Sequence, residues 1–281
     1  MKVYGSIVLY NTDFNELKKA VDSFFLSDIE DRKLLLIDNS PNDDLKICSK
    51  LNNNIEYIFN NSNLGFGAGH NIAIKKSIDD QVDFHVVINP DISSTDDVIG
   101  PLVSYLNKHP DVGMIMPKIV NNDGTLQYLP KLLPTPFGML LRKIKFPKNA
   151  YRKFIDQYEL RTVSEDTIYN TPVLSGCFSV FRVSKLKEIG LYDEKFFMYF
   201  EDWDISRRMH QISKTVYYPR VKITHNYESG ANHNFSLFKI FVKSAIIYFN
   251  KWGWFFDLNR KKINRKTILQ FTDKCGESNG E

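Results

Sequence analysis

The stretch that most constrains the fold of this chain is residues 84–91, with the sequence FHVVINPD. Its apolar run, VVI, is of the kind that fills a strand buried on both faces of a sheet. The strand must end at Pro90, because proline has no N–H to donate to a neighbouring strand. Asp91 is thereby placed at the carboxyl end of a central strand, where open α/β sheets bind ligands. A carboxylate there suits a divalent cation that also holds phosphates, although these residue types are equally typical of an ordinary turn.

The rest of the chain alternates between strand-like and helix-like segments. Apolar runs bounded by turn residues predict strands, and capped or amphipathic stretches predict helices between them. The predicted strands cover residues 3–10, 33–37, 55–59, 84–91, 112–116, 173–181, 215–218 and 221–224, and the predicted helices cover 13–26, 45–51, 70–77, 94–108, 202–212 and 235–256. This order predicts an α/β fold with a mostly parallel central sheet, helices on both faces and a C-terminal amphipathic helical segment.

The first four predicted strands each end in a polar cluster. The clusters are Tyr10 with Asn11, Asp38 with Asn39, Asn63, and Asn89 with Asp91. Because the carboxyl ends of parallel strands share one edge of a sheet, these side chains are expected to form a nucleotide pocket. The plainer alternative is that every strand must end in something polar, but it does not explain why two ends carry a carboxylate beside an asparagine.

Two glycine-containing segments are further candidates for close approach to a ligand. The turn at residues 65–69 has the spacing GxGxG after the third strand, which argues against a dinucleotide-binding fold. It is expected either to bring backbone close to a ligand, with Asn71 as a polar contact, or simply to begin a helix. Gly176 lies inside a predicted strand, which often marks close approach of a ligand. Its neighbour Cys177 has no adjacent histidine and is expected to contribute packing and not a nucleophile.

A second acidic motif, EDWD at residues 201–204, places three carboxylates among aromatic neighbours. Asp202 is positioned to cap the following helix. In an aromatic-walled pocket the same carboxylate would have its pKa raised by desolvation, which suits a general base. Arg207 and Arg208 supply counter-charge one turn later. His225, after the last predicted strand, is a potential metal ligand, although a lone histidine is more often structural.

Two segments depart from the α/β pattern. Residues 130–166 are rich in proline and basic residues and are expected to form an irregular insert, either solvated or facing phosphate or anionic lipid. Residues 235–256 have apolar positions at helical spacing and lead into aromatic residues and a basic cluster at 260, 261, 262, 265 and 266. That combination is typical of a membrane-surface helix and equally of a helix docked on the core. The predicted domains are residues 1–228, including the insert, and a C-terminal extension of residues 229–281.

Composition narrows the class of protein. Of the 281 residues, 43% are hydrophobic and 25% are charged, as in globular proteins, and the net charge of +4 does not by itself indicate a nucleic-acid partner. The cysteines, Cys48, Cys177 and Cys275, are odd in number and far apart, so reduced thiols are expected. No apolar run reaches the length of a membrane-spanning helix, and no signal peptide is expected.

Taken together, the motifs resemble those of inverting family-2 glycosyltransferases with the GT-A (Rossmann-like) fold, in the rhamnosyltransferase-like branch. Any one motif is weak, but six in family order with consistent strand context are specific. They are VLYN at 8–11, IDNS at 37–40, NLGFG at 63–67 with Asn71, NPD at 89–91, SGC at 175–177, and residues 196–207 around EDWD.

The resemblance implies roles for individual residues. Asp202 would be the catalytic base, and Asp91 would be the main protein ligand of Mg²⁺ or Mn²⁺, with His225 as a possible second ligand. Many relatives have Asp-x-Asp where this chain has Asn89-Pro90-Asp91, so the first acid is replaced by an amide. The residues implied to bind the nucleotide are Tyr10, Asn11, Asp38, Asn39, Asn63, Gly65, Asn71 and Asn89. The residues implied to contact the acceptor or the sugar are Glu201, Trp203, Gly176 and Cys177.

The resemblance also implies a reaction and partners. A sugar, for which L-rhamnose from dTDP-β-L-rhamnose is favoured, would pass from a nucleotide-sugar to a hydroxyl of a glycan or polyprenyl-linked glycan in bacterial surface polysaccharide synthesis. The alternatives are another donor, such as UDP-galactofuranose or a UDP-hexose, or a non-catalytic nucleotide-sugar-binding protein. A nucleotidyltransferase is disfavoured because no Gly-rich phosphate loop follows the first strand. The expected location is cytoplasmic, peripheral on the anionic inner face of the cell membrane. A homo-oligomer is left open, and nucleic acid is not an expected partner.

Overall fold

A computed structural model describes residues 1–226 and 235–272 of the chain. Cys275 and the predicted domain boundary at 228 lie outside the described residues. Cys48 and Cys177 are free and buried, as expected of reduced thiols. Across the two described ranges, each helix is too short or too polar to cross a membrane.

Nine strands in the described part of the chain form one sheet. They are β1 (Lys2–Leu9), β2 (Asp31–Asp38), β3 (Ile55–Phe59), β4 (Phe84–Ile88), β5 (Ile92–Ser93), β6 (Val112–Val120), β7 (Tyr169–Asn170), β8 (Phe178–Arg182) and β9 (Lys214–His225). Their order is β3-β2-β1-β4-β8-β6-β9-β5, and β7 also pairs with β9.

The helices connect these strands and cover the sheet. They are α1 (Phe14–Phe25), α2 (Phe66–Asp79), α3 (Ile99–Lys108), α4 (Pro136–Ile144), α5 (Lys148–Tyr158), α6 (Val183–Ile189), α7 (Glu201–Ile212), α8 (Phe235–Trp252) and α9 (Leu258–Thr272), with a 3-10 helix at Asp44–Lys50.

The predicted α/β class and the buried central strand are confirmed. All five residues of β4 are buried, and the strand pairs in parallel with β1 on one side. On its other side lies β8, which runs antiparallel to both β4 and β6. The sheet is therefore parallel through its first four strands, as the strand–helix alternation predicted, and mixed beyond them.

Two strand predictions need correction. Residues 173–177 are not part of a strand, because they bend across the carboxyl end of β4, where Cys177 O accepts the backbone N–H of Asn89 at 2.8 Å. The two strands predicted at 215–218 and 221–224 are one strand, β9. The sequence suggested a break in β9 after residue 218. In the structure the strand continues, and its register against β6 shifts between Pro117 and Lys118.

The expectation of an irregular insert at 130–166 is wrong, because this segment contains α4 and α5. Pro136 lies in the first turn of α4, where a missing N–H costs nothing, and Thr135 Oγ1 accepts the N–H of Gly138 at 2.9 Å. Pro147 immediately precedes α5. The prolines that disrupt the sequence pattern therefore begin helices and do not interrupt them.

The inner face of α8 is docked on the core. Tyr248 and Phe249 pack against Phe196 and Phe200 in one buried aromatic cluster. A buried ion pair continues this contact, with Arg207 Nη2 lying 2.8 Å from Asp257 Oδ2.

The predicted basic cluster after α8 is only partly a surface feature. Arg260 is buried, and its guanidinium donates to the carbonyl oxygens of Pro134, Gly253 and Trp254. Lys261, Lys262, Arg265 and Lys266 are exposed.

The Arg207–Asp257 pair predicts that α8 and α9 contribute to the stability of the whole chain. Asp257→Asn should lower the free energy of unfolding by about 3–5 kcal/mol, because it leaves a buried guanidinium without its counter-charge. Urea denaturation followed by circular dichroism measures this change. The matched control is Asp22→Asn on the exposed face of α1, which should shift the midpoint little. Equal midpoints for the two variants would contradict docking through this pair.

Candidate active site

A cavity of about 870 Å³ opens at the carboxyl edge of the sheet. This volume is within the range of small-molecule sites, roughly 300–1,000 Å³. It lies where the end of β4, the bend before β8, the start of α7 and the α4–α5 insert meet. The predicted site residues that line it are Asn89, Asp91, Gly176, Cys177, Glu201, Asp202, Trp203 and His225.

Asp91 and His225 are brought together by the pairing of β5 with β9, in which Ile92 lies opposite His225. His225 Nε2 is 3.3 Å from Asp91 Oδ1. On the other side of the ring, Nδ1 lies 3.0 Å from Gln127 Oε1, while Gln127 Nε2 donates to His225 O at 2.9 Å. Because the amide orientation is fixed in this way, Nδ1 donates to Gln127, and Nε2 is the ring nitrogen that lies beside Asp91.

This pair fits a divalent cation. Asp91 Oδ1 is buried, and no residue in the described ranges donates a hydrogen bond to it. A carboxylate oxygen and an imidazole nitrogen at this distance are two ligands that one cation can share. Within residues 1–226 and 235–272, no group of three or more His, Cys, Asp or Glu side chains is placed to hold a metal. One carboxylate and one imidazole can hold an ion such as Mn²⁺ or Mg²⁺, which takes its remaining ligands from phosphates and water.

The acids of α7 are positioned by an unusual backbone. Tyr199 and Phe200, immediately before the helix, have φ of 70° and 69°, in the left-handed region that bulky residues avoid. The ring of Phe200 is held between Trp203 and Tyr248, at centroid distances of 4.5 and 5.5 Å. Phe200 is the N-cap, so the prediction that Asp202 caps the helix is wrong. Asp202 lies in the first turn, where the helix dipole favours negative charge.

Asp202 is fixed against the bend before β8. Its Oδ2 accepts the backbone N–H of Gly176 at 3.2 Å, and its Oδ1 accepts that of Trp203 at 2.9 Å. A Cβ at position 176 would lie 3.3 Å from Asp202 Cβ and 3.1 Å from the ring of Phe66. Gly176 was expected to mark the close approach of a ligand. In the structure, the groups that approach its backbone closely are the side chains of Asp202 and Phe66.

Burial raises the pKa values of the two acids at the start of α7, Glu201 and Asp202, to different extents. Burial raises the pKa of Asp202 to about 6, against the opposing effect of its backbone hydrogen bonds and of Lys131. Burial and the charge of Asp202 together raise the pKa of Glu201 well above its usual value. Both shifts point the same way: when the pair holds one proton, Glu201 is favoured to carry it and Asp202 to be the carboxylate.

This assignment predicts that Glu201→Gln is mild. Because a protonated carboxyl and an amide have similar shape and both donate a hydrogen bond, we expect kcat to stay within about threefold of the wild-type value. Steady-state kinetics at pH 7.5, with the donor found by the nucleotide-sugar screen described below, measures this effect. A loss as large as that of Asp202→Asn would mean that Glu201 carries the base function.

A cationic wall on the insert was not predicted as part of the site. Glu159 is buried, and its carboxylate lies 3.9 Å from Lys131 Nζ, 3.4 Å from Arg142 Nη2 and 2.9 Å from Arg161 Nε. Burial, together with the charge of Arg142, lowers the pKa of Lys131 to about 8. The basic composition of residues 130–166 was the available signal, but it gave no means of pairing these residues across the insert.

Of the residues implied to bind a nucleotide, Asn89 lines the cavity and the others do not. Most of the others lie at or just after the ends of β1–β3, and Asn71 lies in α2. Tyr10 and Asn11 are exposed. Asp38 is buried, and its carboxylate accepts the N–H of Ser40 at 2.8 Å and the hydroxyl of Tyr57 at 2.6 Å. The Asn11 N–H donates to Ser40 Oγ at 2.9 Å, which ties the ends of β1 and β2 together.

The other implied nucleotide residues mainly hold loops in place. Asn39 Nδ2 donates to Gly65 O at 3.2 Å, and Asn63 Oδ1 accepts the N–H of Gly65 at 3.0 Å. Gly65 has φ of 87°, and a Cβ there would lie 2.3 Å from Phe197 O. Asn71 is buried, with its amide bonded to both backbone groups of Tyr192. Through these bonds Asn71 connects α2 to the segment that leads into α7.

Cys177 lines the cavity through a buried thiol. Burial raises the pKa of Cys177 to about 12, so the thiolate is not accessible at neutral pH. This agrees with the expectation that it contributes packing.

Comparison with known proteins identifies the family of the fold. The family model for Glycosyl transferase family 2 matches residues 6–190. The low-salt glycan biosynthesis hexosyltransferase Agl10 of Haloferax volcanii is 27% identical over 179 residues, which are 63% of this chain and 52% of that protein. The N-acetylglucosaminyl-diphospho-decaprenol L-rhamnosyltransferase of Mycobacterium tuberculosis is 25% identical over 189 residues, which are 62% of this chain and 59% of that protein. The chain thus spans between about half and three fifths of the length of these relatives.

Solved structures share the GT-A fold at low sequence identity. GalNAc-T7 with UDP, GalNAc and Mn²⁺ superposes with a TM-score of 0.59 and 18% identity, over 81% of this chain and 43% of that one. TarS residues 1–349 from S. aureus in complex with UDP superposes with a TM-score of 0.58 and 14% identity, over 98% of this chain and 74% of that one. These similarities establish the fold of the chain.

Proposed function

The chain belongs to glycosyl transferase family 2, and we propose that it is an inverting glycosyltransferase that moves a sugar from a nucleotide-sugar to a hydroxyl of a glycan or lipid-linked glycan. The observation that carries this proposal is the cavity that contains both Asp202 and the Asp91–His225 pair. Asp202 is a carboxylate that can accept a proton, and Asp91 and His225 provide the oxygen and nitrogen ligands of a cation site. A protein that only binds nucleotide-sugars has no need of a carboxylate that accepts a proton.

The reaction follows from the position of Asp202. An acceptor hydroxyl beside Asp202 attacks the anomeric carbon of the donor sugar and forms the new C–O bond, while the bond from that carbon to the nucleoside diphosphate breaks. The hydroxyl proton passes to the Asp202 carboxylate. Because one base serves a single in-line displacement, the configuration of the anomeric carbon inverts.

Asp91 and His225 would hold a divalent cation, which when bound supplies positive charge for the diphosphate that leaves. The remaining work is done by the chain itself. The N–H groups of Gly176 and Trp203 orient the Asp202 carboxylate, and Phe66 and Trp203 line the cavity together with it.

L-Rhamnose from dTDP-β-L-rhamnose is the donor we propose, which would make the product an α-L-rhamnoside. The named activity of the Mycobacterium tuberculosis relative supports this choice. The named activity of the Haloferax volcanii relative supports a hexose donor as the alternative.

A screen of nucleotide-sugars tests the proposed function. We expect a dTDP- or UDP-sugar to raise the melting temperature of the full chain with Mn²⁺ present and much less in chelator, because ligands that bind the folded state stabilise it. The responding donor should then release its nucleoside diphosphate when acceptor is added. Stabilisation by no nucleotide-sugar, with or without Mn²⁺, would contradict the proposal.

We further propose that the chain binds the surface of anionic membranes through the α8–α9 loop and the exposed face of α9. Phe255 and Phe256 in the loop are among the most exposed aromatic side chains. Lys261, Lys262, Arg265 and Lys266 follow them. Truncation near residue 256 is a poor test, because it would remove Asp257 and with it the partner of Arg207.

Charge substitutions test this contact without disturbing the core. Because each basic side chain near an anionic leaflet contributes about 1 kcal/mol, Lys262→Ala with Lys266→Ala should weaken binding to anionic liposomes roughly 30-fold. Co-sedimentation at low and high salt measures the binding. The control is Lys46→Ala with Lys50→Ala on the 3-10 helix. Equal sedimentation of the two double variants would contradict membrane contact through α9.

A further inference from the structure

Lys131 is a buried cation in the lining of the cavity. Five lysine and arginine side chains line the cavity: Lys131, Arg142, Lys143, Lys145 and Arg161. Lys131 is 5% exposed, whereas the other four are half-buried or exposed. Because water and salt screen a buried charge less than a surface charge, Lys131 acts on the other buried groups of the cavity more strongly than the four outer cations can.

The backbone of Lys131 is attached to the segment that also fixes Asp202. The N–H of Lys131 donates to Val173 O at 3.1 Å, and its carbonyl oxygen accepts the hydroxyl of Thr171 at 3.0 Å. Further along the same segment, the N–H of Gly176 donates to Asp202 Oδ2 at 3.2 Å. One short stretch of chain therefore holds both the residue that carries the ammonium and the carboxylate.

Glu159 helps to keep the amine of Lys131 charged. Burial and the nearby charge of Arg142 lower the pKa of Lys131 to about 8, and the charges of Glu159 and Asp202 oppose this fall. Glu159 Oε1 lies 3.9 Å from Lys131 Nζ. The amine is therefore protonated below about pH 7, which is the range in which a carboxylate with a pKa of about 6 takes up its proton.

Four other titratable groups of the described residues interact electrostatically with Asp202. They are Glu201 on α7, Cys177 in the bend before β8, Tyr158 on α5 and Tyr192 before α7. Asp91 and His225 line the same cavity. Because the acid, thiol and phenol groups are neutral or negative at any pH, none of these four favours the carboxylate form of Asp202, whereas the ammonium of Lys131 does.

We propose that Lys131 is a positioning residue for the reaction, whose ammonium keeps Asp202 in the carboxylate form that accepts the proton of the acceptor hydroxyl. Glu159 in turn keeps the proton on Lys131. The inference rests on the proposed function for the role of Asp202 as the base. Its own content is that a lysine of the insert, and not α7 alone, sets the pH below which the reaction slows.

The pH dependence of nucleoside diphosphate release, with the donor found by the nucleotide-sugar screen, tests this inference. Removal of the ammonium in Lys131→Met favours the neutral acid form of Asp202. The inflection near pH 6 should therefore move upward by about one pH unit, while the rate on the alkaline plateau stays within about threefold of the wild-type value. Relative to that plateau, the rate at about pH 6 should be about fivefold lower than in the wild-type chain.

Two further variants separate the effect of charge from that of structure. Lys131→Arg keeps the charge and should keep the wild-type inflection, and Lys153→Met removes an exposed lysine of α5 and should leave the whole profile unchanged. Lys131→Met should fold, since Glu159 keeps Arg142 and Arg161 as ion-pair partners. An unmoved inflection in Lys131→Met, or an equal shift in Lys131→Arg, would overturn the proposal, because a merely structural role lowers the rate alike at every pH.

Direct titration of the Asp202 carboxyl distinguishes this proposal from the one it rests on. Carbon-detected NMR of the full chain follows this group without turnover, and its resonance is assigned by its loss in Asp202→Asn. We expect a titration midpoint about one pH unit higher in Lys131→Met than in the wild-type chain or in Lys153→Met. If the midpoint rises but no donor is turned over, the proposed function fails and the coupling of Lys131 to Asp202 stands. If transfer occurs and the midpoint does not rise, the role of Lys131 is wrong and the transferase stands.

Discussion

Asp202→Asn is expected to lower the rate of sugar transfer roughly 10²–10⁴-fold, the usual contribution of a general base. The amide keeps the shape of the side chain and can still accept the N–H of Gly176, so the cavity should be preserved. It cannot take the proton of the acceptor hydroxyl at neutral pH. The affinity for the donor, measured by titration calorimetry with Mn²⁺, should stay within about threefold of the wild-type value, because Asp202 acts on the acceptor.

The control for this variant is Asp22→Asn, which removes a carboxylate of the same type from the exposed face of α1. It should have wild-type kinetics. If Asp202→Asn loses donor binding together with turnover, Asp202 has a structural role and another acid is the base.

Asp91→Ala is expected to lower transfer at least about 10³-fold and to abolish the effect of Mn²⁺ on nucleotide affinity. Asn89 cannot take over, because an amide carries no charge and its side chain already lies 3.5 Å from His225 Nε2. Direct binding of Mn²⁺ in the presence of nucleotide, followed by electron paramagnetic resonance, provides a readout that does not depend on turnover.

Asp96→Ala is the matched control for the cation site, since Asp96 is an exposed carboxylate five residues further along the chain. It should bind Mn²⁺ as the wild-type chain does. Unchanged Mn²⁺ binding or full activity in Asp91→Ala would refute the cation site.

The sequence predicted best the positions of the residues that lie where strands end. Burial on both faces of β4 and the proline after it dictated that Asp91 lies at the carboxyl edge of the sheet. The alternation of strands and helices placed the ends of β1–β3 on the same edge. These inferences need only local patterning, which a single sequence contains.

The contacts that the sequence could not predict depend on side chains far apart in the chain. Asn71 resembles a ligand contact in the sequence, yet its amide is taken up by Tyr192, 121 residues later. Glu159 and Lys131 carry no local sign that they meet. The prolines at 136 and 147 favour both a broken loop and the start of a helix, and the packing of α4 against α5 decided between these alternatives.

The packing of the C-terminal helices on the core was also not predictable from local sequence. Helical spacing correctly predicted α8, but the pattern has apolar positions on two faces, and the sequence alone does not say which face meets the core. The structure places Tyr248 and Phe249 inward, and leaves Val242 and Ile246 exposed. Arg260 was counted with the surface cations because the local sequence gives no sign that its guanidinium reaches the carbonyl of Pro134, 126 residues earlier in the chain.

The pH dependence of nucleoside diphosphate release from the responding donor is the most direct test that Asp202 is the base of a glycosyltransferase. A base must be ionised, and burial raises the pKa of Asp202 to about 6. The rate for the wild-type chain should therefore be constant above pH 7 and fall about tenfold per pH unit below pH 6. Asp202→Asn should have a low rate that does not fall in this window. The same inflection near pH 6 in both proteins would contradict the account, because the group that titrates would then not be Asp202.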